Sequence, residues 1–453
     1  MFYRPFHMNW RDKMKFSIIT LGCKVNLYET EALISHLSQK RWVYVENDSD
    51  ETPDVCIVNT CTVTATSDQK SRQMLRQLRR KYPNCILVAM GCYVQTHIQD
   101  VENLADILIG TKDKSKICEL VEAYIEKKQS IHHVFEIANY TIYDEMKLNY
   151  RSIHTRGFVK IQDGCENFCS YCLIPYARGK IKSRLPENVI HEINLLVQSN
   201  TKEVIISGIN TGTYGQDLGY INLAGLIERI MNETSLWRLR LSSIELMEIS
   251  DQLLATMKKY KDRIAMHLHI PLQGGSDMVL ARMKRKYTTA EYANVIQKIR
   301  QLFPDISITT DCLAGFVGET EEEFKETLNF IQNMEFASMH IFPYSRRKGT
   351  VADEMSGHLD GGCIKERARK MIEIATNMKE NYQRKFIGQT IDVLVEQKKG
   401  DYWMGHTSNY LEIYFQTETE ELENTIQICT IQSLKKGKLY GTIKKEESHA
   451  YIS

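Results

Sequence analysis

From residue 15 to about residue 126, short apolar runs alternate with longer stretches of helical periodicity. "KFSIIT", "DVCIVN" and "CILVAM" are bounded and rich in Ile and Val, whereas "NLYETEALISHLSQK" and "SDQKSRQMLRQLRRKY" repeat their apolar positions every three to four residues. That alternation predicts a parallel sheet with crossover helices, a small doubly wound α/β domain over 15–126.

Residues 127–156 are polar with weak periodicity and read as a linker or short hairpin. Strand–helix alternation then resumes over 157–384, with "GFVKIQ", "EVIISG", "LRLSSI", "MHLHIPL", "SITTDCLAGF" and "SMHIFPYS" as strands. Six parallel strands separated by helices predict a (β/α) barrel, partial if the closing strands are missing and then open on one side to a large substrate. Over 386–447 the pattern shifts to short β-rich runs such as "TIDVLVE" and "TIQICTIQSL", which predict a small all-β barrel of a kind that often handles RNA.

Composition fits this plan: the 453 residues are 43% hydrophobic and 25% charged, as in an ordinary globular protein of two or three domains. There is no run of eighteen apolar residues, and the first sixteen residues do not resemble a secretory signal, so the expectation is a cytoplasmic protein with no membrane partner. A net charge of +1 means that any RNA contact must come from local patches, such as "KSRQMLRQLRRK" at 70–81 and "RMKRK" at 282–286. A solvated helix face is the competing reading of such runs.

The cysteines change the picture most. Cys165, Cys169 and Cys172 form a C-x3-C-x2-C loop directly after the first barrel strand. Soft thiolates at this density select zinc or an iron–sulfur cluster. A closed zinc site needs a fourth ligand, and the nearest candidates, His154 and His191, are distant in sequence. A 4Fe–4S cluster on three cysteines instead keeps one iron open to a substrate.

A second set emerges when the N-terminal strands are aligned. "SIITLGC", "DVCIVNTC" and "ILVAMGC" end in Cys23, Cys61 and Cys92. Ligands of parallel α/β sheets sit at strand carboxyl ends, so these thiols should converge on one point. Cys56 and Cys85 begin their strands and read as core residues; Cys118, Cys312, Cys363 (in a Gly-rich turn) and Cys429 also read as packing. At the barrel strand ends, Gly208, Asn210, Ser243, Glu245 and Gln273 stand where a nucleoside-like cofactor should sit, with loop hydrogen bonding as the plainer role.

The cluster-loop spacing, with Tyr171 before the third cysteine, resembles the radical S-adenosylmethionine family. That resemblance implies S-adenosylmethionine chelated by the open iron and split by one electron into methionine and a 5′-deoxyadenosyl radical. "TLGCKVNLYETE", "VNTCTVTATSDQKSRQ", "GCYVQ" and "KIQDGCENFCSYCLIPYARGK", with "TTDCLAGFVGETEEEF" and "HIFPYSRRKGT", are similar to the methylthiotransferases of that family. The match runs from about residue 15 to 445 and implies two 4Fe–4S clusters, on Cys165, Cys169 and Cys172 and on Cys23, Cys61 and Cys92. It also implies a C-terminal TRAM-like RNA-binding barrel.

"GCKVN" with "NTCTVT" resembles the branch that acts on N6-threonylcarbamoyladenosine beside the tRNA anticodon, adding methylthio at C2. Sister branches take isopentenyladenosine or a ribosomal-protein aspartate. C2 of adenine has no acidic proton and no leaving group, so a radical route is required. The resemblance implies one S-adenosylmethionine to methylate sulfur held at the N-terminal cluster and another to make the radical. A low-potential electron donor and a sulfur source follow as partners, besides the tRNA anticodon loop.

Gly274, Val317 and Leu246 depart from the family's usual Ser, Pro and Pro, which bears on cofactor contacts and branch rather than on the cluster cysteines. For RNA, Arg178 and Lys180 after the cluster loop, and Arg346, Arg347 and Lys348 after "FPYS", are expected near the barrel mouth to neutralise phosphates. Lys435, Lys436 and Lys438, with Tyr402, Trp403 and Tyr410 as stacking platforms, extend that expectation to the last block, where "ETEELE" cancels much of the charge. A non-catalytic iron–sulfur or zinc RNA-binding protein is the rival from another class, separated by its inability to cleave S-adenosylmethionine.

Overall fold

The computed structural model describes residues 14–47, 49–146 and 155–443. It divides into two compact units: Met1–Tyr150 with Gln162–Arg184 and Ser345–Asp353, and Arg151–Ile161 with Leu185–Tyr344 and Glu354–Ser453. The cysteine loop at 162–184 and the segment 345–353 therefore belong to the same unit as the N-terminal block.

The first unit is built on strands β1 (Lys15–Thr20), β2 (Val43–Tyr44), β3 (Val55–Thr60), β4 (Ile86–Gly91), β5 (Ile107–Ile109) and β6 (Ile131–His133). All pair in parallel, in the order β2-β1-β3-β4-β5-β6. Both faces are covered, which is why β3 reads as a continuous apolar run with every residue buried. Val55 and Ile57 pack on one face with Leu33, Ile107 and Val121; Cys56 and Val58 pack on the other with Leu75, Leu78 and Cys85. Cys56 and Cys85 are thus core residues.

Two short strands escape periodicity analysis. β2 spans two residues, and β6 lies in the polar stretch read as a linker or hairpin, where it adds a parallel edge strand beside β5. Helix Ala65–Lys81 is capped by Thr64, whose hydroxyl accepts from Ser67 N at 3.1 Å, and ends on Arg79, Arg80 and Lys81, favourable charges for its dipole.

The chain next forms β7 (Arg156–Lys160), a two-residue antiparallel pair β8 (Gln162–Asp163) and β9 (Lys182–Ser183), then β10 (Glu203–Ser207), β11 (Arg238–Leu241), β12 (His267–His269), β13 (Ser307–Ala314) and β14 (Ser338–Pro343). Within the second unit β7, β10 and β11 make one parallel sheet and β12, β13 and β14 another. Bridges Leu239↔Ile264 and Ser243↔His269 join them into the expected open (β/α) barrel. Leu, Ile and Val from alternate strand positions pack outward against the helices.

The C-terminal strands β15 (Thr390–Lys399), β16 (Tyr402–Thr407), β17 (Glu412–Phe415), β18 (Ile426–Lys435) and β19 (Lys438–Ile443) close into a barrel in the order β15-β16-β17-β19-β18. Helix Gly361–Arg384 precedes it. Cys363 lies in the first turn of that helix, not in a glycine-rich turn, because Asp360 caps the helix by accepting from Gly362 N and Cys363 N.

Alternate positions on β10 and β11 carry Glu203, Arg238 and Arg240, all buried. Arg240 donates to Glu203 Oε1 at 2.7 Å and to the carbonyls of Thr407 and Ser408 at 3.0 Å each; Arg238 donates to Glu203 Oε2 and to the His406 carbonyl at 3.2 Å. The turn after β16 thereby stoppers one end of the barrel. Tyr410 stacks on His267 (4.8 Å) and His406 (4.9 Å) with the Arg240 guanidinium 4.7 Å from its ring centre.

Burial alone would raise the Glu203 pKa, but the two guanidinium groups win and hold it at about 2. Its folded value lies below the ordinary 4.5, so the stability it contributes is present above about pH 4.5 and lost as pH falls toward 2. Removing the charge leaves two arginines buried without their carboxylate. Glu203→Gln should cost about 3–5 kcal/mol in urea unfolding at pH 7 and flatten the loss of stability below pH 4.5; an unchanged midpoint would show that the arginines find other acceptors.

Candidate active site

In the order β2-β1-β3-β4, chain direction reverses its winding between β1 and β3, the place where open α/β sheets bind ligands. Cys23 follows β1, Cys61 follows β3 and Cys92 follows β4. Gly22 has φ +103°, and a Cβ there would meet Cys61 Sγ at 2.5 Å, so the turn carrying Cys23 closes on Cys61 only because residue 22 has no side chain. Gly91, at φ +105°, likewise lets β4 approach the Thr60 carbonyl, where a Cβ would sit 2.7 Å away.

Cys23 is exposed, while Cys61 and Cys92 are buried. Burial pushes the Cys61 thiol up to about 11, a backbone hydrogen bond from Val63 opposes this, and the charges of Cys92 and Cys23 add to the rise. Burial also raises Cys92, against the pull of Arg178 and Lys114.

The second set lies on the loop closed by β8 and β9 in the same unit. Gly164, at φ +81°, has no room for a Cβ, which would lie 1.8 Å from the Lys180 carbonyl. Cys165 N donates to Gly179 O (3.1 Å), Cys172 N to Cys169 O (3.0 Å), and Ile174 N reaches Cys172 Sγ at 3.4 Å. The three residues are each part-buried. Burial lifts Cys172 to about 12, against the Ile174 amide, with Cys169 and Cys165 adding to the rise. Tyr171 is half-buried, and exposed Phe168, at φ +47°, meets Tyr176 edge-on at 5.7 Å.

Among the described residues no three His, Cys, Asp or Glu groups gather tightly enough for a single metal ion. Each set offers three cysteines, the number that leaves one iron of a four-iron cluster without a protein ligand, whereas a closed zinc site takes four. His191 sits on helix Pro186–Gln198 of the other unit, and His154 lies outside the described residues.

Gly208, Asn210, Ser243, Glu245 and Gln273 follow successive strands of the second unit. Asn210 donates to Glu248 Oε1 at 3.3 Å; Glu245 is held by Arg285, whose Nη1 reaches it at 3.3 Å; Gln273, at φ +66°, bridges to β13. Ser243 is exposed and Glu245 half-buried. Beside them lie polar barrel residues that apolar periodicity does not mark. Asp311 lies 3.3 Å from both His269 Nε2 and His340 Nδ1; burial would raise its pKa, but these partners hold it at about 2. The "HLH" and "TTD" alternation could have flagged them as inward-facing.

Several residues expected to meet RNA do not face solvent. Arg178 is 1% exposed and spends its guanidinium on Cys92, Glu29, Asp163 and Asn26. Arg347 is buried on Asp68 and Thr62 at 2.9 and 2.8 Å. Trp403 is core in the C-terminal barrel, and Tyr410 is stacked within its unit. In the basic runs Arg79, Arg282 and Arg285 pair with Asp106, Glu323 and Glu245. Lys70, Arg76, Arg80, Lys81, Lys180, Arg346, Lys348, Lys435, Lys436 and Lys438 are exposed, although Arg346 pairs with Asp353; Tyr402 is half-buried against Tyr440.

Family comparison agrees with this arrangement. Residues 159–331 match the radical SAM superfamily and residues 15–110 the family described as UPF0004. The architecture shares its fold with a radical S-adenosylmethionine methyltransferase, TsrM, from Kitasatospora setae (TM-score 0.57, 14% identity, 75% of each chain). A radical S-adenosylmethionine enzyme with an added N-terminal α/β block is thus defined.

Among curated relatives, the threonylcarbamoyladenosine tRNA methylthiotransferase MtaB of Bacillus subtilis is 38% identical over 93% of this chain and 94% of its own. That of Aquifex aeolicus is 35% identical over 88% and 96%, and a tRNA-2-methylthio-N(6)-dimethylallyladenosine synthase of Thermoanaerobacter is 34% identical over 86% and 83%. The chain belongs to the radical S-adenosylmethionine methylthiotransferase family and is MtaB-like.

The geometry sets an order of thiol reactivity in metal-free protein. Iodoacetamide at pH 7.5 should modify exposed Cys23 well before Cys61, whose raised pKa leaves about a hundredfold less thiolate than an ordinary thiol has. Peptide mass mapping should show Cys61 labelling accelerate as pH rises toward 11; equal rates at neutral pH would contradict the placement of these side chains.

Proposed function

We propose that the protein adds a methylthio group to C2 of N6-threonylcarbamoyladenosine beside the anticodon of tRNA. The observation that carries this reading is the presence of two sets of three thiols in one compact unit, in a chain with MtaB relatives over nearly its full length.

Cys165, Cys169 and Cys172 would hold one 4Fe–4S cluster with an iron left for S-adenosylmethionine, and Cys23, Cys61 and Cys92 would hold the second. When bound and reduced by a low-potential donor, these groups supply a 5′-deoxyadenosyl radical and a site for the sulfur that an outside source delivers. The polypeptide's share is placement. Gly22 and Gly164 give the two loops their close turns, and Tyr171 lies within the second of them; in the second unit, Gly208, Asn210, Ser243, Glu245 and Gln273 at the carboxyl ends of β10, β11 and β12 are the proposed contacts of a nucleoside-like cofactor.

Exposed Lys180 and Lys348, Lys435, Lys436 and Lys438 on the C-terminal turn, and Lys70, Arg76, Arg80 and Lys81 on the helix Ala65–Lys81, are cations that tRNA phosphates could meet. The C-terminal barrel takes the role of a TRAM domain. The domain plan is 15–126, 127–156, 157–384 and 386–447. Among the described residues no helix is long and apolar enough to cross a membrane, and a tRNA-modifying role accords with the cytoplasm.

Nucleoside mass spectrometry on tRNA from a host lacking its own enzyme of this family, with and without this gene, tests the proposal. The expected product is 2-methylthio-N6-threonylcarbamoyladenosine; the isopentenyl product alone would move the protein to the sister branch. Cys169→Ala should abolish S-adenosylmethionine cleavage, and persisting cleavage would sink that loop's role. Cys61→Ala should leave cleavage intact and stop methylthio transfer; product from this variant would remove Cys61 from the sulfur-bearing site.

A further inference from the structure

Arg178 ends helix Ile174–Arg178, six residues after Cys172, yet its side chain lies among the N-terminal cysteines. Nε donates to Cys92 Sγ at 3.1 Å. Nη1 donates to Glu29 Oε1 and, at 3.2 Å, to Asp163 Oδ2; Nη2 donates to Asn26 Oδ1 at 3.0 Å and Glu29 Oε2 at 3.2 Å. Five contacts match the five N–H groups of a guanidinium, so none is left for substrate. Glu29 is shared with Lys114, itself buried, and Asn26 donates on to the carbonyls of Leu21 and Thr60, the residues leading into Cys23 and Cys61.

A buried Arg is ordinarily explained by its carboxylates, and Glu29 with Asp163 suffices for charge balance. The contact to Cys92 is not needed for that balance. It aims a positive N–H at the sulfur atom that the reading above makes a cluster ligand, in a site walled off from water. Hydrogen bonds to ligand sulfur and local net charge are the protein's main controls on cluster potential.

We propose that Arg178 is a positioning residue that sets the reduction potential of the N-terminal cluster through its hydrogen bond to Cys92, with Glu29 as the opposing charge. This rests on Cys92 being a ligand. A cationic donor stabilises the more negative, reduced cluster, so loss of Arg178 makes reduction harder and loss of the Glu29 charge makes it easier. The reaction must deliver its electron to the S-adenosylmethionine-binding cluster, and the proposed setting governs how that electron divides between the two.

The test uses full-length protein carrying Cys165→Ala, Cys169→Ala and Cys172→Ala, so that one cluster site remains, with EPR-monitored redox titration and iron analysis. Arg178→Gln should shift reduction at least tenfold against the reduced state, 59 mV more negative for one electron. Glu29→Gln should shift it the other way, and Arg178→Lys should recover part of the Arg178→Gln shift. A purely structural role would move both Gln variants together toward cluster loss.

Opposite shifts support the proposal; shifts of the same sign, or none in variants with full iron, overturn it. If Arg178→Gln does not retain iron, Glu29→Gln decides alone: a positive shift supports the proposal and no shift overturns it. Absence of any cluster in the triple-alanine parent, with folding intact by circular dichroism, removes Cys92 as a ligand and with it both readings.

Discussion

A guanidinium cut off from water with every N–H engaged is the interaction on which the cysteine-bearing unit turns. An unpaired charge in such a place would cost several kcal/mol, so Arg178 obliges Glu29, Asp163 and Asn26 to hold fixed positions around it. Each is tied to a different piece of chain: Glu29 and Asn26 to the helix after Cys23, Asp163 to the strand before Cys165, and Arg178 to the helix after Cys172. One side chain thereby constrains both cysteine loops, which are remote in sequence and carry no disulfide to hold them.

The second unit uses the same device for another end. Glu203 between Arg238 and Arg240 occupies the position a TIM-like barrel would fill with layered aliphatic side chains, and the guanidinium groups reach the carbonyls of residues 406–408. An apolar floor would pack as well but would not hold the C-terminal barrel in one register. The polar strip continues through His267, Thr309, His269 and Asp311, linked by contacts of 2.9–3.3 Å. The barrel interior is therefore lined by polar groups that already pair with one another.

The fold was legible wherever burial on two faces forces a simple pattern. β1, β3 and β4 declare themselves by apolar runs, and their terminal cysteines by position, because parallel strands bring carboxyl ends to one edge. β6 was not legible, since an edge strand of three residues in polar sequence is decided by its neighbour β5 rather than by its own composition. The chemistry of Arg178 and Arg347 was misread for a related reason. An Arg in a basic-looking string is written the same way whether it faces phosphate or a buried carboxylate, and its partners Glu29 and Asp68 lie more than a hundred residues away. Trp403 looked like a stacking platform because its alternation with Tyr402 does not say which face of β16 is inward.

Those corrections narrow how RNA can be recognised. With Arg178 and Arg347 consumed, Arg346 paired to Asp353 and four of the six arginines of the two basic runs in ion pairs, the exposed cations of these segments are mostly lysines on turns and on one helix face. Lysine neutralises phosphate as a point charge without the bidentate fork that reads a base edge. Affinity from such residues is insensitive to sequence and falls with salt. Inside the barrel, by contrast, the arginines and histidines are already fixed by one another and by their carboxylates. The same buried pairs that hold the fold therefore sort the cations into two kinds: lysines left at the surface, and arginines and histidines committed to carboxylates inside.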